Sequence, residues 1–166
     1  MALVPGLMIG ISLAAQVDPL TPAGSLTEEL RSPAGVAVAA DGTVLVTDTF
    51  HNHIARYDAV GTLQGTWAVP EGPVGVAVHP SNGNYYVSLR DEGKVGIYVY
   101  DDVAETFTRT GFLGDGIPEV SFVGPTDIDI ASDTGRILVV DPEDDKWYLF
   151  NSDGTLRSSG GARGEA

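Results

Sequence analysis

Three stretches of this 166-residue chain repeat one pattern, and that repeat constrains the fold more than any other feature of the sequence. Pro33 opens PAGVAVAADGTVLVTDTFHNHIARYDAVGTLQGTW, and Pro73 opens PVGVAVHPSNGNYYVSLRDEGKVGIYVYDDVAETFTRTGF. Pro125 opens the third copy, PTDIDIASDTGRILVVDPEDDKWYLFNSDGTLRSSG. The prolines stand 40 and then 52 residues apart, and the wider gap holds a longer outer strand in the second copy and the linker GDGIPEVSFVG. Periods of this length belong to propeller blades or solenoid units.

Local chemistry decides between these two. Each copy has a Val/Ile-rich run (35–38, 75–78, 127–130) followed by a turn cluster: Asp41-Gly42, Asn82-Gly83, Asp133-Thr134-Gly135. Asp and Asn hydrogen-bond to nearby backbone, and Gly accepts positive φ, so these clusters predict hairpins. A second β-rich run follows at 44–46, 85–87 and 137–140, and a third, aromatic one at 54–57, 97–100 and 147–150. A short polar fourth run closes each copy. No stretch sustains a helical period over about twelve residues without Gly or Pro, so the chain is predicted to be all-β. Four antiparallel strands in each copy are the content of a β-propeller blade. The inner runs are almost continuously apolar, as expected where a blade is covered on both faces, and the outermost can be more polar.

The first copy, with Pro33, Gly35-Val36-Ala37-Val38, Asp41-Gly42, Val44 to Asp48 and Asn52-His53-Ile54, resembles the NHL repeat of six-bladed propellers, with Ile54 in place of the final Leu. The third keeps Pro125, Gly135 and Ile137 to Asp141 but has Asp145-Lys146-Trp147 at the tripeptide. The second has Ser88-Leu89 where the strand would end in Asp, and Gly93-Lys94-Val95 at the tripeptide. The resemblance implies blades at 31–70, 71–116 and 117–160. It also implies an N-terminal apolar segment with linker at 1–30 and a linker at 161–166 toward a further blade. Three blades are an incomplete ring, and the resemblance leads us to expect further blades in cis, on a longer chain, or self-association in trans.

Composition narrows the partners. Nine Lys and Arg against 23 Asp and Glu give a formal charge of −14, the wrong sign for wrapping phosphate backbones. Nucleic acid is therefore excluded as an expected partner. The absence of Cys rules out disulfides, thiolate catalysis and Cys-ligated metals. The first sixteen residues, MALVPGLMIGISLAAQ, are too short and too broken by Pro5, Gly6 and Gly10 to span a membrane. They read either as a signal peptide lacking a basic n-region or as a buried strand of a preceding unit, so extracellular, periplasmic and cytoplasmic locations all stay open.

Few residues point to chemistry. Asp127 and Asp129 alternate with Ile128 and Ile130 and replace Gly35/Ala37 and Gly75/Ala77 of the other copies. On an innermost strand lining a central channel, they are the expected holders of Ca²⁺ or another divalent cation, or of an acid/base role. The alternative is that Asp127 satisfies local backbone donors. His51 and His53 lie two apart, a spacing open to metal ligation, but His53 occupies the position of the repeat's own His. His79 has no evident partner. Asp141-Pro142-Glu143-Asp144-Asp145 lacks the sixth-position Gly and distal Glu of an EF-hand and reads as a solvated hairpin tip, while Asp48, Asp58 and Asp101 read as turn makers. No nucleophile elbow, phosphate-cradling loop or HExxH motif occurs in the sequence.

Two functions follow as expectations. One is a binding or scaffold module holding a protein, peptide or carbohydrate ligand at a propeller rim. The other, implied by the resemblance, is a metal-dependent hydrolase or lyase, lactonase-like or amidating-lyase-like, with its cation in the central channel.

Overall fold

The computed structural model describes residues 30–70 and 72–161. The apolar N-terminal segment, with its signal-peptide reading, and most of the Gly-rich tail lie outside the described residues. Twelve strands form three four-stranded antiparallel sheets, one per sequence repeat, each a meander in chain order. The first blade holds β1 (Pro33–Val38), β2 (Val44–Asp48), β3 (His53–Tyr57) and β4 (Leu63–Ala68). The second holds β5 (Pro73–Val78), β6 (Tyr85–Leu89), β7 (Lys94–Asp101) and β8 (Thr106–Phe112). The third holds β9 (Asp127–Ile130), β10 (Ile137–Asp141), β11 (Lys146–Phe150) and β12 (Leu156–Gly160). Among the described residues the only helix is the 3₁₀ turn Arg90–Glu92. This is an all-β fold of three successive propeller blades in an open arc.

The turns form as their residues require. Gly42, Gly83 and Gly135 all adopt positive φ in the inner hairpins. Less expected is a second left-handed position that recurs between the second and third strands. Asn52 (φ 53°), Gly93 (φ 59°) and Asp145 (φ 51°) occupy it in turn. These three residue types accept that conformation most readily, which gives a backbone reason for the Asn at the head of the tripeptide.

Cross-strand partners in a sheet share a face, so register and burial together show where each side chain goes. Leu45 and Ile54 of the first blade pack with Val76, Tyr85, Val87, Leu89 and Tyr98 of the second. Ala77, Tyr86 and Val95 of the second pack with Ile128, Ile130, Ile137, Val139, Tyr148 and Phe150 of the third. A smaller group, Val46, Ala55 and Tyr57, lies on the other face of the first blade with Leu30, Val44 and Leu63 against it. Where blades meet, the inner strands come close: a Cβ on Gly75 would lie 2.8 Å from the Thr126 carbonyl oxygen. The Thr47 hydroxyl ties the first pair of blades by accepting from Gly35 N–H (2.8 Å) and donating to Val74 O (2.5 Å).

β2 and β6 are covered on both faces, as their apolar runs predict, but β1 is largely exposed and β10 alternates buried and exposed. Its exposed members, Leu138 and Val140, pair with Asp129 and Asp127 on β9, and Val140 also pairs with Trp147 on β11. Asp127, Asp129, Leu138, Val140 and Trp147 therefore form the outward face of the third blade, the side away from the second.

Candidate functional site

Three places gather the chemistry. The first is a rim cavity of ≈ 480 Å³ where the inner hairpins of all three blades converge. Val38 and Asp41 come from the first blade, His79 and Tyr85 from the second, Ile130 and Ser132 from the third. His79, without an evident partner in sequence, is fully buried here. Its Nδ1 accepts from Ser81 N–H (3.3 Å), and its Nε2 meets the Ser152 hydroxyl at 3.0 Å, 73 residues away. Because a backbone N–H only donates, neutral His79 carries its proton on Nε2 and donates it to Ser152. His79 is thus a pin between the second and third blades, which a linear reading of the sequence had no means to show.

The second place is the corner between β2 and β3. Asp48 is completely buried, and its Oδ2 accepts from Arg31 N–H (2.7 Å) while Oδ1 accepts from Ser32 N–H (3.0 Å). The sequence reading as a simple turn maker is therefore too local: Asp48 clamps the chain sixteen and seventeen residues before it. His51 Nδ1 lies 2.9 Å from Asp48 Oδ2, and His53 Nε2 lies 3.9 Å from the same oxygen. The two imidazoles stack with centroids 5.2 Å apart. Burial pushes the Asp48 carboxyl up, but the Arg31, His51 and Ser32 donors outweigh it and hold the group down at about 2. Burial, helped by neighbouring His51, holds His53 below the usual imidazole range against the pull of Asp48. Asp141 repeats the clamp in the third blade by accepting from Val123 N–H (2.7 Å), Gly124 N–H (3.0 Å) and Asp144 N–H (3.3 Å). It is fully buried, so the solvated-tip reading of the acidic run fails at its first residue. Asp58 and Asp101 do behave as turn makers, each accepting two local N–H bonds on Oδ1.

The third place is the pair predicted to hold a cation. Asp127 and Asp129 border a groove of ≈ 310 Å³ along the inner strands, shared with Gly35 to Val38 and Val76 to Val78. Their side chains share the outward face of the third blade, because Asp129 pairs with exposed Leu138 and Asp127 with exposed Val140. Each also takes the next residue's N–H on Oδ1 at 2.9 Å, the local bond weighed in the sequence, and retains its second oxygen. Among the described residues, the group of three His, Asp or Glu side chains close enough to share a metal ion is Asp48, His51 and His53.

A family model for the NHL repeat matches residues 30–57, from the Asp48-clamped segment through the His-bearing tripeptide to the end of β3. Residues 30–57 are an NHL repeat. No curated protein sequence matches the chain, but solved structures do. The virginiamycin B lyase of Staphylococcus aureus, crystallised with quinupristin, aligns over 75% of this chain and 40% of its own at 18% identity (TM-score 0.57). The hydrazine synthase of Kuenenia stuttgartiensis aligns over 85% and 39% at 16% identity (TM-score 0.62). A putative gluconolactonase aligns over 78% and 48% at 20% identity (TM-score 0.63). The chain thus spans less than half the length of these structures. At such identities the likeness establishes the propeller fold that the NHL repeat shares.

Proposed function

We propose that this chain is an NHL-type propeller binding module that takes a peptide or protein segment at the rim formed by its inner hairpins. The observation that carries this reading is the ≈ 480 Å³ cavity drawn from all three blades, a volume within the range of small-ligand sites. Apolar Val38, Val78 and Ile130 border it together with the Asp41 carboxylate. That combination suits a basic segment carrying an apolar side chain, and the overall charge of −14 favours its approach. The test is to probe an array of basic, Leu- and Phe-containing peptides with the purified chain. Val38 is 65% exposed, so Val38→Arg alters the rim without disturbing a core. Expected is capture of a peptide subset, lost in Val38→Arg and weakened in Asp41→Ala. Equal capture by all three proteins contradicts the reading.

A second reading, a metal-dependent hydrolase or lyase, is favoured by Asp127 and Asp129 standing on one face, each with an oxygen to offer a hard cation. Solved relatives named as a lyase and a putative lactonase share the fold. In the described residues a cation there would have two carboxylates, with water completing its shell. Calorimetric titration of Ca²⁺ and Mn²⁺ into the wild type and Asp129→Ala tests it: absence of saturable binding by the wild type ends this alternative.

A further inference from the structure

The corner between second and third strands is built three times, which makes the molecule its own control. In the third blade, the places of His51 and His53 are taken by Asp144 and Lys146, and Lys146 Nζ meets Asp144 Oδ2 at 2.5 Å. In the second, they are taken by Glu92 and Lys94, with Leu89 in place of Asp48. Both of those corners thus carry a lysine ammonium. The first blade has an imidazole in its place, and the nearby Arg31 turns its guanidinium onto the Phe50 ring, 4.9 Å from the centroid.

We propose that Asp48, His51 and His53 form a binding site for Zn²⁺, in which the metal supplies the positive charge that a lysine gives the other two corners. Two imidazoles and one carboxylate are the donor types zinc takes, and three protein ligands leave a fourth position for water. The ligand atoms all lie within 4.8 Å of one another. One backbone unit positions them: Asp48 ends β2, His53 begins β3, and the left-handed Asn52 between the histidines turns the chain. The Arg31 and Ser32 N–H groups fix the Asp48 carboxylate from behind, the outer support a metal ligand needs. The His51 and His53 side chains are partly exposed, 34% and 21%, so the buried carboxylate is reached from solvent between them. Binding places the metal between Asp48 Oδ2 and the two imidazoles, where it replaces the direct contact of His51 Nδ1 with the carboxylate.

The experiment is a calorimetric titration of zinc chloride into the EDTA-treated full chain, its fold checked by circular dichroism. Expected is one Zn²⁺ per chain, with affinity reduced about 100-fold or more in His53→Lys and in His51→Gln, and unchanged in Asp129→Ala. His53→Lys installs the residue that the other two blades carry, and His51 lies in an exposed turn, so both variants are expected to fold. No saturable zinc binding by the wild type overturns the proposal. So does wild-type affinity in His53→Lys and His51→Gln, or loss of binding in Asp129→Ala, which would move the metal to the third blade. None of these outcomes bears on the rim reading, which is tested with peptides and Val38→Arg.

Discussion

The corner of the second blade and those of its neighbours solve one problem with opposite chemistry. In the first and third blades a buried carboxylate, Asp48 or Asp141, gathers the N–H groups of the segment that leads into the blade. In the second the same position is Leu89, fully buried in the core shared with the first blade. Its leading segment keeps the backbone bond that the first blade also has, Arg90 N–H to Gly72 O (2.8 Å) matching Thr49 N–H to Ser32 O (3.0 Å), and Gly72 N–H donates to Asn52 Oδ1 of the preceding blade (3.1 Å). A polar clamp inside the blade is thus replaced by apolar packing plus a hydrogen bond from the neighbouring tripeptide. The middle blade has a blade on each side, so apolar burial there is the greater resource.

The sharpest way to break this comparison is to exchange the two solutions. Leu89→Asp places a carboxylate in an apolar core where the Gly72 N–H already has an acceptor, and an uncompensated buried charge costs about 3–5 kcal/mol. We expect loss of cooperative folding at 25 °C, seen as a missing transition in urea denaturation; a stability within about 1 kcal/mol of wild type would show that the corner reorganises around the carboxylate. Asp141→Ala is the reciprocal change. It leaves Val123 and Gly124 N–H without their acceptor, at about 1–3 kcal/mol for each group that stays dry. The expected total is about 2–4 kcal/mol in the same measurement, and a loss under about 0.5 kcal/mol would reduce the clamp to a surface contact.

Acid should separate the corners more gently. The Asp48 carboxyl is held at about 2, below its ordinary value of 3.8, so its contribution to stability is full above the ordinary value. It is lost as pH falls from there through about 2, where the folded protein takes up the proton. Melting temperatures measured across that range should fall less steeply in Asp48→Asn than in the wild type. Parallel slopes would mean that other groups carry the acid sensitivity.

The fold was legible in the sequence because its signals are local and repeated three times. Pro, Val-rich run, Asp-Gly or Asn-Gly turn and aromatic run each report on neighbours a few residues away, and three copies make coincidence implausible. The sites were less legible because they depend on contacts across the repeat. Asp48 reads as the end of a strand, yet its partners are Arg31 and Ser32; His79 reads as isolated, yet it is pinned to Ser152. Asp127 and Asp129 stand out by their alternation and by replacing Gly and Ala of the other copies, which fixes that they share a face but not which one. The register with Val140 and Leu138 supplies that missing half. The Asn of the tripeptide lies between these cases: its residue type was visible, but its reason, a left-handed backbone repeated at Gly93 and Asp145, appears only in the dihedral angles.

That shared dihedral gives the smallest predicted effect and the most specific one. At one position three blades carry Asn, Gly and Asp, and only the Gly pays nothing in steric strain for φ near 55°. Asp145 is exposed, and its replacement removes no core contact. Asp145→Gly should therefore stabilise the third blade by a few tenths of a kcal/mol up to about 1, the relief of left-handed strain less the added freedom of the unfolded chain. Asn52→Gly should not gain in the same way, because Asn52 Oδ1 also accepts from Gly72 N–H and so ties the first blade to the second. Paired urea midpoints for the two variants test this directly. If both shift equally, the tripeptide position is set by backbone strain alone, and the Asn52 bond adds nothing to the junction between blades.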